Sequence, residues 1–297
     1  MTFLRGASLT TAATLGHAAT ADLGPTAGNG FDTRWSDDLA ALHDIGITDV
    51  RITLDWARLQ PGPGAVDHEW AERFEQILLA CDGIGVRPWG CLHEDSVPRW
   101  FDNDGGFDDD EAVTRWWPRW VERAADRFGD LVAGWMPFAC IPAGVPEQPW
   151  IDTWGILGGG PPVVAAVDLS ARADTVDRYV GRMNLLGAVM AGAGDVDSMA
   201  DAATLAGCVD RWGGEIREAA DSVDNVSVIA SFSADHPDSD VAGDVVAAWR
   251  SMLDDAYSDG VPIDVALLEP AITGSGSSQG LLDPDRAPTP SSSAFLD

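Results

Sequence analysis

Carboxylates at the ends of β-branched runs are the groups in this chain with the clearest potential for chemistry. Glu94 and Asp95 follow VRPWGCLH, Asp55 lies near the end of DVRITLDW, and Glu269 follows VPIDVALL. Two carboxylates facing each other across a cleft can hydrolyse a substrate, one as acid or base and the other as nucleophile. Glu94 with Glu269 is the pair best placed for this. The plainer reading is chance, because 48 residues are acidic. The same acids could hold Mg²⁺ or Ca²⁺ through oxygen ligands, but no ligand spacing marks such a site, so neither a metal nor a cofactor is expected. A second constellation is Cys140 with His93. A thiol becomes a nucleophile when a neighbouring base or cation lowers its pKa. The simpler reading, a buried inert thiol, is preferred.

The elements that must position these groups alternate between strand and helix patterns. Strands are read at Phe3–Thr10, Asp49–Trp56, Val86–His93, within Phe128–Pro142 with Ala139, Cys140 and Ile141 at its end, Asn225–Phe232 and Val261–Leu268. Helices are read at Asp37–Gly46, Asp67–Gly83, Asp110–Phe128, Thr175–Ala193, Ser198–Val223 and Val241–Ser258, with Pro118 expected to kink or divide the third. A Pro/Gly loop is read over Ala143–Pro162. Such alternation predicts a parallel sheet of right-handed βα units. There is no G-x-G-x-x-G and no P-loop, so a TIM-like (β/α)8 barrel is preferred to a doubly wound sheet. It is incomplete, with about six of the eight units. Residues 1–272 form the barrel domain. Residues 273–297, rich in Ser, Gly and Pro, read as a disordered tail.

Composition narrows the partners. The chain has 297 residues, 18 basic and 48 acidic, for a net charge of −30, and every basic residue is Arg. Such a chain repels nucleic acid and anionic membranes, and no partner of either kind is expected. Without Lys, Schiff-base chemistry is excluded. The charge itself reads as a solubility adaptation, with salt as one candidate cause. Cys81, Cys91, Cys140 and Cys208 include no C-x-x-C spacing and read as buried thiols of a cytoplasmic protein. The N-terminal MTFLRGASLTTAATLGHAATA resembles a signal peptide at its ends, but its middle is too rich in Thr and Gly; an ordinary first strand is preferred.

Three stretches together resemble glycoside hydrolase family 1, the β-glucosidase and β-galactosidase family. DVRITLDWARLQPGPGAVD resembles the family's R-F-S-I-S-W-S-R-I-x-P-x-G-x-G. GCLHEDSVPRWF with the following GGF resembles T-L-x-H-W-D-L-P-x-W-L and G-G-W. FGDLVAGWMPFACIP resembles F-G-D-x-V-x-x-W-x-T-x-N-E-P. Weaker similarities lie in FLRGASLTTAATLG, GGGPP and RMNLLGAVMA. The resemblance runs from Phe3 to Leu268, the first two-thirds of a family member, and implies a sugar-cleaving barrel with a carbohydrate ligand.

Carried over residue by residue, the expected machinery is missing. Cys140 takes the place of the acid/base Glu and Ala139 that of its Asn. The nucleophile belongs to the family's seventh strand, which the reading does not find. Ala13 and Leu15 replace a sugar-binding Gln and Glu, and Glu94 replaces a sugar-binding His, with His93 one position early. Arg51 matches the arginine that supports the nucleophile. Trp150 and Trp154, in the loop after the fourth strand, are the candidates for lining a sugar cleft. The resemblance therefore implies a barrel without hydrolase activity, acting in sugar binding or as a scaffold or partner subunit. The alternative is an active β-glycoside hydrolase with a relocated pair, Glu94 and Glu269. Six strands would leave two open edges, so a homo-oligomer or a partner chain covering them is also expected.

Overall fold

Strands buried on both faces show no polar alternation and read as continuous apolar runs. The described residues supply eight strands, most of this kind, whereas Asp49–Thr53 alternates polar and apolar residues. A computed structural model describes residues 3–16, 28–94, 96–141, 147–170, 174–191, 201–223, 226–233, 236, 238–274 and 280–297. The strands are β1 (Leu4–Leu9), β2 (Asp49–Thr53), β3 (Arg87–His93), β4 (Gly134–Phe138), β5 (Val164–Asp168), β6 (Leu185–Ala191), β7 (Ser227–Ser233) and β8 (Ile263–Glu269). Between and around them lie α1 (Thr11–Leu15), α2 (Phe31–Asp44), α3 (Trp56–Leu59), α4 (His68–Ile84), α5 (Arg99–Asn103), α6 (Asp110–Phe128), α7 (Glu147–Leu157), α8 (Asp174–Asp177), α9 (Ala202–Asp221), α10 (Ser239–Ser258) and α11 (Pro290–Leu296).

The sheet order is β4-β3-β2-β1-β8-β7-β6-β5, and neighbours run parallel. A bridge between Trp135 and Val163 brings the two ends together, giving a nearly closed (β/α)8 barrel. Its interior is filled by Trp89, Met136, Val164, Ala166, Leu185, Ile229, Val265 and Leu267. A larger core lies between the strands and the surrounding helices. Gly6 is required where β1 is squeezed between its neighbours. A Cβ there would stand 2.9 Å from the Asp49 carbonyl oxygen and would collide with the Leu267 side chain. The acid-rich composition also serves the helices. Asp67, Asp109, Asp201 and Asp238 cap the N-termini of α4, α6, α9 and α10, each accepting backbone N–H bonds that the first turn leaves unpaired.

Several expectations are corrected. The barrel has eight strands, not about six. β5 lies just beyond the Pro/Gly loop, and β6 occupies what reads as the second half of a helix from Thr175 to Ala193. The open edges go with that count: β1 pairs with both β2 and β8, which removes the ground for expecting an oligomer or a covering chain. The helix through Pro118 is not divided and runs from Asp110 to Phe128.

The stretch expected to be a disordered tail is packed on the barrel over residues 280–297. Leu281, Leu282 and Phe295 are fully buried, and Phe295 stacks on Trp249 with ring centroids 6.0 Å apart. Arg286 holds the buried Asp38 of α2 through two hydrogen bonds of 2.8 and 2.7 Å. No helix among the described residues is long and apolar enough to cross a membrane.

Candidate functional site

Side chains alternate along a strand, so one inward residue fixes the others. On β8, Val265 and Leu267 belong to the barrel interior. Glu269 is therefore the next inward residue, at the carboxyl end, where barrels of this type carry their sites. On β2, Asp49, Arg51 and Thr53 share the inward phase. Asp49 sits at the amino-terminal end, accepting from the Trp89 indole at 2.8 Å and paired with Arg87 at 2.8 Å. Arg51 lies one layer above it.

Arg51 organises the site. Its Nη1 donates to Oε1 of Glu269 at 2.8 Å. Its Nη2 stands 2.6 Å from Oε1 of Glu94 and 3.1 Å from Oε2 of Glu269, which keeps those two oxygens no farther apart than about 6 Å. The second oxygen of Glu94 accepts from Thr11 N–H at 2.6 Å, Thr11 Oγ1 at 2.8 Å and Thr53 Oγ1 at 3.1 Å. Side-chain exposure is 1% for Arg51, 6% for Glu94 and 19% for Glu269. Burial opposes the arginine's charge, but Glu269 and Glu94 outweigh it, and Arg51 is held protonated. Burial raises the pKa of Glu269, and Arg51 offsets part of that rise.

This arrangement separates the roles of the two glutamates. Glu94 has both oxygens engaged and is shielded from solvent. It ties α1 to β2 through Oε2, and its Oε1 is turned to Arg51. Glu269 is the member open to the mouth of the barrel. Asp95, the other acid expected at this strand end, lies outside the described residues. Asp55 turns away from the cluster: it caps α3 by accepting from Ala57 N–H at 3.0 Å.

The structure does not join Cys140 and His93 into a catalytic pair. The His93 ring packs on Phe107, Phe138 and Trp117, with centroids 4.7, 5.8 and 6.5 Å away. Burial pulls its pKa down to about 4, so it is neutral at ordinary pH. Burial pushes the Cys140 thiol up to about 11, and Asp168 adds to the rise, the opposite of nucleophile activation. Cys91, beneath the arginine, is pushed up to about 12 by burial. Trp150 is a core residue rather than a cleft wall. It is buried, donates to the Arg182 carbonyl at 3.0 Å and packs on Tyr179. Trp154 is half-buried, its ring lying beside Gly158.

Three members of the site escape sequence reasoning. Thr11 and Thr53 lie within stretches that carry the resemblance but are not marked as site residues there, because a hydroxyl that orients a carboxylate has no characteristic spacing. Asp168 ends β5 and is missed along with that strand. The family's seventh strand, expected to be absent, is present as β7, but Ser227–Ser233 carries no carboxylate.

Comparison with known proteins bears out the resemblance read from the sequence. Residues 13–145 match the model for Glycosyl hydrolase family 1. Human cytosolic beta-glucosidase is 27% identical over 109 residues, covering 36% of this chain and 23% of that protein. The chain thus aligns with about a quarter of that relative's length. The crystal structure of a beta-glucosidase from Exiguobacterium marinum superposes with a TM-score of 0.77 at 12% identity, covering 99% of this chain and 98% of the other. The beta-glucosidase from Thermotoga maritima in complex with deoxynojirimycin gives a TM-score of 0.69 at 11% identity, covering 99% and 96%. At these identities the structural likeness establishes the fold.

Proposed function

On the premise that residues 13–145 match glycosyl hydrolase family 1, we propose that this chain is a sugar-binding barrel of the family-1 type that does not hydrolyse glycosides. The observation that carries this reading is that Glu94 is buried with both oxygens already engaged. A general acid or base must reach the proton it transfers, and Glu94 already accepts three hydrogen bonds on one oxygen and an arginine on the other. Glu94, the carboxylate nearest Glu269 through Arg51, is thus committed to the protein's own groups. Cys140, where the family's proton donor belongs, holds its proton up to about pH 11.

Sugar recognition is the part of the family's task that this site can still perform. Glu269 presents a partly exposed carboxylate, stiffened by Arg51, which can accept hydrogen bonds from sugar hydroxyls. The inhibitor-bound Thermotoga relative supports a carbohydrate-like ligand for a barrel of this shape. Isothermal titration with β-glucosides tests the reading. Saturable binding that weakens in Glu269→Gln, with the glycoside recovered intact, is expected. Absence of binding by any neutral sugar tried would remove sugar recognition and leave a scaffold.

A second reading has one observation in its favour. Oxygens of Glu94 and Glu269 lie within about 6 Å of each other, near the ~5–5.5 Å separation of a retaining pair. Hydrolysis by that pair requires Glu94 to leave its hydrogen bonds to Thr11 and Thr53.

A further inference from the structure

The wall of the barrel is uneven. Every neighbouring strand pair from β4 round to β5 shares a parallel register of at least four residue pairs, with a skipped pair in β3–β4 and a shift at Val228–Ile229 in β7–β8. Between β5 and β4 themselves, the single bridge of Trp135 with Val163 replaces a ladder. The cause is a residue type. Trp135 N–H donates across this gap to the Pro162 carbonyl at 2.7 Å. Along a parallel strand, residues i and i+2 turn their N–H groups to the same neighbour. The next donor toward β5 therefore belongs to position 137, and Pro137 has no N–H to give. The next N–H from the β4 side to reach β5 lies beyond the end of β4, Ile141 to the Ala166 carbonyl at 2.7 Å, because Ala139 N–H turns instead to the His93 carbonyl at 2.9 Å. Proline is confined to sheet edges because it cannot donate to a ladder. A closed barrel has no edge, and Pro137 creates one.

The reinforced part of the wall lies opposite. In the strand order, β1 and β8 are farthest from the gap. There Arg51 of β2 joins Glu269 of β8 to Glu94 after β3. Ala271 N–H donates to the Ser8 carbonyl at 2.7 Å, extending the contact between the β8 end and β1.

We infer that the barrel is a split ring, held along β1–β8 and able to part locally at the β4–β5 seam. Parting loosens the wall beside Met136 and Val164, beneath α6 and α7 and next to Cys140 and Asp168 at the mouth. Local opening of this kind has a free energy below that of global unfolding and shows in amide exchange.

Hydrogen exchange followed by mass spectrometry tests the inference on the full chain. Amides of Val164–Asp168 are expected to exchange about tenfold or more faster than those of β1 and β8. Pro137→Val restores the missing N–H, and its side chain, by alternation with the inward Met136, faces the helices. It should slow exchange in β5 several-fold and leave β1 and β8 unchanged. Exchange in wild-type β5 as slow as in β8 would overturn the inference, whether or not the variant folds. So would fast β5 exchange that Pro137→Val leaves unaltered, since the looseness would then have another origin.

Discussion

Arg51 grips Glu269 at two points, Nη1 to Oε1 at 2.8 Å and Nη2 to Oε2 at 3.1 Å, and its side chain is only 1% exposed. Breaking one partner of such a cluster leaves buried charge uncompensated. Arg51→Met should therefore lower stability by about 3–5 kcal/mol. Adding Glu94→Gln and Glu269→Gln should recover much of that loss, because the orphaned charges go as well. Urea unfolding of the three variants measures both effects. Equal stability of Arg51→Met and wild type would show that the ion pairs cancel against their desolvation.

His93 gives the fold an acid limit. Its folded pKa lies at about 4, below the ordinary 6.5, because its aromatic surroundings shed charge. Between those values the unfolded chain binds a proton at this site and the folded chain does not. Stability therefore falls as pH drops from 6.5 toward 4, by at most about 1.4 kcal/mol per pH unit. His93→Phe, which suits the aromatic surroundings, should flatten that part of the stability–pH curve. An unchanged slope in the variant would assign the acid limit to other groups.

The C-terminal segment is part of the fold. Phe295 is fully buried against Trp249, which stacks in turn on Phe232 of β7. Phe295→Ala should cost about 3–5 kcal/mol, measured by urea unfolding. A change under about 1 kcal/mol would mean that α11 contributes little to the packing.

A net charge of −30 works against compaction. Screening shortens the Debye length from about 10 Å at 0.1 M salt to about 3 Å at 1 M. The melting temperature should accordingly rise by several degrees between those NaCl concentrations. A flat or falling profile would show that the acids are spread widely enough, or paired well enough, not to strain the fold.

Six strands were readable because each has a boundary that physics makes visible. β2 and β3 follow helices closed off by a glycine of positive φ, Gly46 and Gly85, and β4 follows an amphipathic helix and the turn at Gly129. β5 and β6 lack such marks. VVAAVD is a short run of small apolar residues behind two prolines. LLGAVMA, buried on both faces, satisfies helical spacing as well as strand spacing. The C-terminal segment reads as disordered because its Ser and Pro content hides Leu281, Leu282 and Phe295, whose burial depends on long-range packing. At the site, Arg51, Glu94 and Glu269 were legible as charged residues at strand positions. The hydroxyls of Thr11 and Thr53, which decide what Glu94 can do, were not. Their contact joins residues more than 40 positions apart.

The central claim is that the Glu94–Arg51–Glu269 cluster is structural and ligand-orienting rather than hydrolytic. Turnover of 4-nitrophenyl β-glucoside by the wild-type chain, beside Glu94→Gln and Glu269→Gln, tests it most directly. Release of nitrophenol at the uncatalysed rate in all three proteins is predicted. Wild-type turnover well above that rate, abolished in either variant, would contradict the claim and establish a working carboxylate pair.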